Sequence, residues 1–386
     1  MITSNSRPYI LGACVALTFI VLLSLQTREE SSSASSRWLD YSDKTPISHE
    51  YRNYVSATSD GRIKPADTTS EIGRASNATL GFEKIFVVGL PERSDRRDAM
   101  VLSASLTGFQ VEFMDGVRGD QVSDKARPPG LTLKDGAMGS WRGHMNVIRR
   151  HANPAIPACR IVENHLASAF IMEDDVDWDI RLLTQLPEYA RGIRTLSHVP
   201  LDQRQHSPYG DDWDILWPGH CGDAPPASPP HHDQEAKKTK HDAALYIIDN
   251  DETVAPKSAR AWLKALAAYP ENTRVIHRTG APTCTFGYAV SYRGAQKILM
   301  ALAVQGGAKR NLALGGALAS LCHDGHLDAR CYSVEPPLFQ PHRPAGAMDA
   351  EDGDAKGSGR TDVIVWSARL NLEQMIMGRV DYFVKW

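Results

Sequence analysis

The chain has 386 residues, of which 42% are hydrophobic, and a formal net charge of −3 at pH 7. A chain of this length and composition can bury a sizeable core in one large or two small domains. The charge balance lacks the strongly basic bias of a nucleic-acid binder, so no nucleic-acid partner is expected.

The N-terminal segment predicts a membrane anchor. Residues 9–25 form an uncharged apolar run that follows Arg7 and precedes Arg28, and the run is just long enough to cross a thin bilayer. No small-residue cleavage site follows it, which favours a retained anchor over a signal peptide. Arg7 favours a cytoplasmic tail at 1–8. We therefore expect a single-pass type II protein of the Golgi or ER membrane with a luminal body.

Polar sequence separates this anchor from the body. Residues 26–80 are rich in Ser, Thr, Asp and Arg and have no apolar periodicity, which predicts a flexible stem. Asn77 begins the only N-glycosylation sequon, in a region that would tolerate a glycan. The folded body is expected over 81–386, with a mobile insertion at 223–243 where Pro, His and Lys cluster.

Within the body, short apolar runs alternate with stretches of helical spacing. Strands are predicted at 85–88, 111–114, 168–172, 213–217, 273–276 and 285–290, helices at 94–107, 140–150, 292–303 and 312–321, and a loop at 340–344. One more apolar stretch lies at 363–366. Such alternation predicts an α/β fold whose sheet is mostly parallel and flanked by helices.

The cysteines fit a luminal body in part. Five of the six lie outside the anchor, an odd set that leaves at least one thiol free or joined to another chain. The pairings to test are Cys221 with Cys284 and Cys322 with Cys331. No two cysteines have the CxxC spacing of a zinc site.

Three consecutive carboxylates follow the predicted strand at 168–172: Glu173, Asp174 and Asp175. In an open α/β sheet, ligands bind outside the carboxyl ends of the strands. Adjacent acids repel one another unless a cation lies among them, and oxygen ligands favour a hard metal such as Mn²⁺ or Mg²⁺ that is shared with substrate phosphates. The alternative is that these acids cap the next helix or face water.

Three arginines lie where the first strand gives way to the helix at 94–107: Arg93, Arg96 and Arg97. Planar guanidinium groups beside a helix N-terminus can engage a diphosphate. Alternatively, they pair with neighbouring acids and have no further role. The dinucleotide, P-loop and nucleophile-elbow motifs are all absent from the sequence.

Seven segments, taken in their order along the chain, resemble glycosyltransferase family 25. This family includes lipooligosaccharide-type and procollagen galactosyltransferases, and the likeness is to its fungal, membrane-anchored members. The segments are KIFVVGLPERSDRRDAM (84–100), VEFMDGVRGD (111–120), GSWRGHMNVIRR (139–150), AFIMEDDVDWD (169–179), SPYGDDWDILWPGHCG (207–222), CTFGYAVSYRGAQKIL (284–299) and CYSVEPPLFQPHRPAG (331–346).

The resemblance implies a GT-A-type Rossmann-like fold, a UDP-sugar donor, a glycan or glycoprotein acceptor and a divalent cation, with Mn²⁺ preferred to Mg²⁺. The acidic triplet would hold that cation against the donor diphosphate. The donor side would be formed by Arg93, Arg96, Arg97 and His342, of which His342 could approach either the donor phosphates or the metal. The alternative for His342 is a histidine on a surface loop.

Family members that transfer galactose with inversion need a general base, usually Asp or Glu. The candidates are Asp211, Asp212 and Asp214, beside the predicted strand at 213–217; the first two could equally be turn residues. The helix at 140–150 would border the pocket with Trp141, Arg142 and His144, although Trp141 could instead belong to the core.

One stretch departs from the family pattern. Where the family tends to have an acid at the start of a late helix, this chain has Gly315 and Gly316. The leading hypothesis is transfer of a hexose, with galactose as the first candidate. Two alternatives stay open: a catalytically weakened homologue that binds nucleotide or glycan as an interaction protein, and a metal-dependent phosphohydrolase, which would need further ligands for a two-metal site.

Overall fold

A computed structural model describes residues 47–50, 67–128, 130–149, 161–162, 165–225, 245–260, 263, 266–305, 311–344, 346–347, 356–357 and 359–383. The chain divides into two units at Pro46, and all of these residues belong to the second unit. The predicted cytoplasmic tail, the anchor at 9–25 and most of the insertion at 223–243 lie outside the described residues. Within the described ranges, no helix is both long enough and apolar enough to cross a bilayer.

The described part of the chain contains fourteen strands. In chain order they are β1 (Ile47–Glu50), β2 (Lys84–Gly89), β3 (Glu112–Asp115), β4 (Ser168–Glu173), β5 (Val176–Trp178), β6 (Ile215–Gly219), β7 (Leu245–Asp249), β8 (Arg274–Arg278), β9 (Gly287–Ser291), β10 (Cys331–Glu335), β11 (Phe339–Arg343), β12 (Gly346–Ala347), β13 (Lys356–Gly357) and β14 (Arg360–Thr361).

Nine of these strands form one central sheet, in the order β1-β7-β8-β10-β6-β9-β4-β2-β3. Seven of the nine point in one direction, and only β8 and β9 run antiparallel to their neighbours. A second sheet, in the order β14-β11-β5, lies beyond the end of β4, and β12 pairs with β13. The predicted α/β fold with a mostly parallel sheet is confirmed.

Helices cover both faces of the central sheet. They are α1 (Ser94–Thr107), α2 (Asp135–Ile148), α3 (Leu182–Leu196), α4 (Tyr292–Ile298), which continues as a π-helix over Leu299–Val304, α5 (Leu314–His323) and α6 (Leu372–Met377). Val87 and Met172 pack into the core on the α1 and α3 face, whereas their neighbours Val88 and Ile171 pack on the α2, α4 and α5 face. Side chains alternate across a strand, so the central strands are apolar on both sides.

The sequence misplaced some elements. Residues 340–344, predicted as a loop, largely form β11: Pro341 has no N–H, but the N–H of His342 donates to Asp175 O at 2.7 Å and continues the ladder. The apolar stretch at 363–366 forms a single bridge, between Ile364 and Val254. Helix α1 has Arg93 at its cap position, and no side chain makes the capping bond.

The folded body begins earlier than the predicted boundary at residue 81. Gly73–Ser76 form a short 3-10 helix, and Ala75 and Leu80 are buried in the core. The guanidinium of Arg74 donates to the carbonyl oxygen of Gln205 at 2.8 Å. The assignment of residues 67–80 to a flexible stem is therefore wrong, because a few well-spaced apolar side chains suffice to dock this segment.

The disulfides confirm both expected pairings. Cys221 bonds to Cys284 and Cys322 bonds to Cys331. The first bond joins the end of β6 to the loop before β9, and the second joins the end of α5 to β10. Disulfides persist in oxidising compartments and are rare in the cytosol of mesophiles.

A hydrogen bond from the segment 67–80 supplies a partner that one backbone carbonyl of α3 otherwise lacks. Pro187 lies inside this helix and lacks the N–H that would bond to the carbonyl of Leu183, four residues earlier. The hydroxyl of Ser76 donates to that carbonyl oxygen instead. The segment before residue 81 thus satisfies a backbone acceptor that the helix itself cannot satisfy.

We expect Ser76→Ala to lower the free energy of unfolding by about 1–3 kcal/mol, because the Leu183 carbonyl loses its partner. Denaturant unfolding of the full chain measures this loss. In a Pro187→Ala background, the restored N–H can bond to Leu183 O, so the same Ser76 change should cost less than about 0.5 kcal/mol. Equal losses in both backgrounds would contradict the compensation.

Candidate functional site

The acidic triplet lies at the carboxyl end of β4, as predicted, but its three side chains do not point the same way. Strand alternation places Glu173 on the face of Ile171, where α2 packs, and sends Asp174 to the face covered by α1. Asp175 follows in the turn to β5. Consecutive residues at a strand end therefore face different neighbours, a consequence that their adjacency in sequence hides.

Asp174 is buried beside the end of β2. Its Oδ1 accepts a hydrogen bond from Arg96 Nη1 at 2.8 Å, and the same nitrogen lies 3.3 Å from Asp175 Oδ2. A Cβ at residue 89 would come within 2.2 Å of Asp174 Oδ2, so this close approach requires Gly89. One guanidinium from the first turns of α1 thus bridges two of the three acids.

The charges of these groups affect one another. Burial raises the pKa of Asp175, and Arg96 and Asp174 act on it in opposite directions. Burial by itself would lower the pKa of Arg96, but the Asp175 and Asp174 carboxylates outweigh it and hold the pKa above its ordinary value. Arg96 therefore keeps its positive charge beside these two carboxylates.

Glu173 has its own set of partners. Thr285, in the loop before β9, donates its hydroxyl to Glu173 Oε1 at 2.6 Å, and His144 Nε2 lies 3.8 Å from the same oxygen. Burial, followed by the charge of Asp175, raises the pKa of Glu173 to about 7. Burial lowers the pKa of His144 to about 4. A neutral imidazole and a carboxyl that titrates near neutrality thus lie side by side.

The predicted helix around residue 144 is α2. Of the three side chains expected to border the site, only His144 does so. The ring of His144 also bonds to the Tyr288 hydroxyl at 3.1 Å. Trp141 is a core residue, which was the alternative stated for it. Arg142 donates to Asn146 Oδ1 along the helix at 2.8 Å.

The three arginines near the start of α1 were considered either as diphosphate ligands or as partners of neighbouring acids, and the structure separates them. Arg96 contacts the acidic triplet. Arg93 pairs with exposed Asp95 two residues away, at 2.9 Å. Arg97 pairs with Asp115 at the end of β3 and lies over the ring of Phe113. The local pairing that was the alternative for all three therefore describes Arg93 best.

Sequence reasoning missed a fourth arginine at this edge. Arg369, just before α6, donates from Nη2 to the carbonyl oxygen of Asp174 at 3.1 Å. Its Nε is buried and has no hydrogen-bond partner among the described residues. Asp177, Asp175 and Asp174 raise its pKa, although burial lowers it by more. No local pattern marks Arg369, because its partners precede it by almost two hundred residues.

His342 does lie at the same edge. Its backbone N–H bonds to Asp175 O, and its ring Nδ1 lies 2.9 Å from Thr361 Oγ1. It occupies a strand rather than the surface loop considered as the alternative. The structure thus brings Glu173, Asp174, Asp175, Arg96 and His342 to one end of the sheet.

The three base candidates lie elsewhere. Asp214 immediately precedes β6, and its carbonyl accepts from the N–H of Ser291, which pairs with Ser168 at the start of β4. The length of β4, about 16 Å, separates that edge from Glu173. The placement therefore does not support a common site for these acids and the triplet.

All three base candidates have structural partners. Asp214 is buried and accepts from Lys297 Nζ at 2.7 Å and Arg293 Nε at 3.0 Å. Asp212 pairs with Arg293 at 3.1 Å and with Arg330. Asp211 accepts from the backbone N–H groups of residues 206 and 207 at 3.0 Å each, the turn role that was its alternative.

An open polar cavity of about 650 Å³ lies at this amino-terminal edge rather than at the carboxylates. Its lining includes Glu71, Arg74 and Asp211, whose charged groups bond to each other or to nearby backbone. The candidate site is therefore assigned to the carboxyl end of β4, where acidic and basic side chains converge, and not to this cavity.

The glycines that depart from the family pattern begin α5. The helix starts after Ala313 without a side-chain cap. A Cβ at residue 315 would lie 3.1 Å from Cys284 N, so Gly315 allows α5 to approach the disulfide-linked loop that carries Thr285. The residue has a packing role in this chain.

Among the described residues, no three His, Cys, Asp or Glu side chains converge as metal ligands. The opposed directions of Glu173 and Asp174 explain this. Asp174 and Asp175, which share Arg96, fit a hard cation in the chemistry of their oxygens. One or two carboxylates suffice for a cation whose other ligands are substrate phosphates and water.

A second buried cluster lies at the end of β10. Glu335 accepts a hydrogen bond from Asp223 N, and its Oε2 has no hydrogen-bond partner among the described residues. His220 Nδ1 lies 3.7 Å from Glu335 Oε1. Asp223 is itself buried and accepts from the N–H groups of Gly280 and Ala281, so the start of the insertion predicted at 223–243 belongs to the folded body.

We expect the free energy of unfolding to fall as pH rises from 6.5 to 8. Burial raises the pKa of Glu335 to about 8, so the folded state binds a proton that the unfolded state has released. This contributes a slope of up to about 1.4 kcal/mol per pH unit. His144 and His220, with pKa values lowered to about 4, act only below the ordinary histidine value of 6.5.

Denaturant unfolding at several pH values tests this. Glu335→Gln keeps the shape and the acceptor oxygen but cannot ionise, so the slope between pH 7 and 8 should be smaller in the variant. Glu173, whose pKa is raised to about 7, supplies part of the slope that is left. An unchanged slope in the variant would contradict the assignment.

No protein-family model matches the chain.

Proposed function

We propose that the chain is a metal-assisted glycosyltransferase of GT-A type. It moves a hexose from a UDP-sugar to a hydroxyl of a glycan or glycoprotein, and galactose is the first candidate for that hexose. One observation carries the proposal. At the carboxyl end of β4, the buried Asp174 and the half-buried Asp175 lie beside two arginines from distant segments, Arg96 and Arg369. A metal diphosphate presents both charges and can pair with both kinds of group.

In this proposal, Asp174 and Asp175 hold the divalent cation, which when bound stabilises the charge that develops on the departing UDP. Arg96 and Arg369 bind phosphate oxygens through charge-assisted hydrogen bonds. Arg97 and His342 complete the donor side, and Arg93 contributes little because of its local pair. The oxygen of the acceptor hydroxyl forms the new bond to the sugar carbon as the bond to UDP breaks, and the hydroxyl proton is released to solvent. Asp211, Asp212 and Asp214 support the fold at the opposite edge.

The disulfides support a luminal location, and the apolar segment at 9–25 supports anchoring in a Golgi or ER membrane. The alternative is a homologue that binds nucleotide without transfer. The start of α5 favours it, because Gly315 and Gly316 carry no acid there.

Calorimetric titration of the full chain with UDP, with and without Mn²⁺, tests the proposal. Binding that requires Mn²⁺ supports the donor site, and transfer from UDP-galactose to a panel of glycans would then establish the activity. Binding without transfer would favour the interaction protein. Absence of UDP binding under both conditions would overturn the proposal.

A further inference from the structure

Asn77 organises the turn that leads from the segment 67–80 into β2. Its backbone oxygen accepts a hydrogen bond from the N–H of Leu80 at 2.9 Å. Its side-chain Oδ1 accepts from the N–H groups of Thr79 and Gly81, at 2.9 Å each. Leu80 and Gly81 both adopt the left-handed conformation, with φ angles of 54° and 78°, and the chain turns sharply there. The two oxygens of Asn77 thus satisfy three consecutive backbone donors.

The nitrogen of the same amide has no such role. Among the described residues, Asn77 Nδ2 has no hydrogen-bond partner, although Oδ1 has two backbone donors. The side chain is half-exposed, and the next residue, Ala78, is exposed. The fold therefore uses the oxygens of Asn77 and leaves its amide nitrogen available for another bond.

Asn77, Ala78 and Thr79 also form the only N-glycosylation sequon in the chain. In this modification, Nδ2 of the asparagine forms a bond to the first carbon of a glycan as the bond between that carbon and a lipid diphosphate breaks, and Nδ2 releases one proton. The product is still an amide, so its Oδ1 remains a hydrogen-bond acceptor. The bonds from the N–H groups of Thr79 and Gly81 can therefore persist in the modified chain.

The sequon lies away from the carboxylates of the candidate site. The oxygen of Ala78 accepts from the N–H of Gln110, two residues before β3 begins, and the chain enters β2 at Lys84. These are the beginnings of two parallel strands, whereas the candidate site lies beyond the ends of β2 and β4. The length of β2, about 16 Å, separates the two edges.

We propose that Asn77 carries an N-linked glycan, with its oxygens holding the turn and its nitrogen bearing the sugar. The proposal depends on the luminal location of the body, which the two disulfides support. It does not depend on glycosyl transfer by this chain.

Electrophoresis of the full chain expressed in eukaryotic cells, before and after treatment with a peptide N-glycosidase, tests the modification. We expect the treatment to increase the mobility of the wild type and to leave an aspartate at residue 77, which mass spectrometry of the peptide identifies. Asn77→Asp is the matched variant, because it keeps a side-chain oxygen for the turn but has no nitrogen to modify. It should migrate like the treated wild type and should not respond to the enzyme.

Thr79 provides an independent comparison. Thr79→Ser keeps the hydroxyl that the sequon requires and should retain the glycan, whereas Thr79→Val keeps the shape without the hydroxyl and should lose the glycan. Alkylation of free thiols shows in the same samples whether the disulfides have formed. A wild-type chain with both disulfides formed and no response to the N-glycosidase would overturn the proposal. Free thiols at all four disulfide cysteines together with an unmodified Asn77 would overturn the luminal location and the glycan with it.

Binding of UDP with Mn²⁺ separates this proposal from the proposed function. Asn77→Asp should bind UDP within about two-fold of the wild type, because the glycan and the candidate site lie at opposite edges of the sheet. A ten-fold or greater loss of affinity, about 1.4 kcal/mol, in this variant alone would overturn the separation of the two sites. Absence of UDP binding by the wild type would overturn the proposed function, and the electrophoresis would still decide whether Asn77 carries a glycan.

Discussion

Replacing Arg96 with alanine is expected to weaken UDP binding by about ten- to a hundred-fold, the equivalent of about 1.5–3 kcal/mol for a hydrogen bond to a charged group. Arg96 is the guanidinium that lies between Asp174 and Asp175. Its loss also leaves the buried Asp174 carboxylate without that partner, so the free energy of unfolding should fall by about 1–3 kcal/mol. Calorimetry and denaturant unfolding measure the two effects separately.

Arg93→Ala is the matched control. It removes the same charge one helical turn earlier, from a guanidinium that pairs with the exposed Asp95, and should change UDP affinity by less than about three-fold. If the two variants lose equal affinity, the effect reflects general charge attraction. If Arg96→Ala loses none, Arg96 only neutralises the carboxylates.

Asp175→Asn is expected to abolish the part of UDP binding that depends on Mn²⁺. The substitution preserves shape and removes the charge that a hard cation requires. The Mn²⁺-dependent gain should fall at least about ten-fold, whereas affinity for UDP alone should stay within about two-fold of the wild type. Stability should hold or rise, because burial raises the pKa of Asp175 and so disfavours its ionised form.

Asp115→Asn provides the comparison for that prediction. Asp115 also ends a parallel strand, β3, and pairs with Arg97, but its side chain is 64% exposed. The Asp115→Asn substitution should leave the Mn²⁺ dependence of UDP binding unchanged. An unaltered Mn²⁺ dependence in Asp175→Asn would remove the metal role from Asp175, and loss in both variants would indicate a diffuse effect of negative charge.

Local patterns predicted the strands that carry the site because burial on both faces makes a strand continuously apolar. The run before Glu173 and the run before Gly89 both appeared as strands. The position of the acidic triplet at a strand end followed from the same pattern. Its division between two faces did not, because it depends on which helix covers each face.

Long-range partners escaped the sequence for a physical reason. Thr285, Thr361 and Arg369 reach the site only after chain segments far apart in sequence pair through their backbones. The base candidates failed for a related reason: Asp214 precedes its strand, and parallel strands bring their beginnings to the edge opposite their ends. Polar composition likewise concealed the packing of residues 67–80.

The order in which the candidate site can form follows from where its parts lie in the chain. Arg96 comes from the first helix of the sheet, whereas Thr361 and Arg369 come from the last 26 residues. Such distant pairings are slow to form, because the intervening chain must first be brought together. During synthesis, a ribosome would have to release the chain beyond residue 369 before this end of the sheet could form completely. Premature termination near residue 355 would therefore yield a chain that retains every strand of the central sheet and lacks both Thr361 and Arg369.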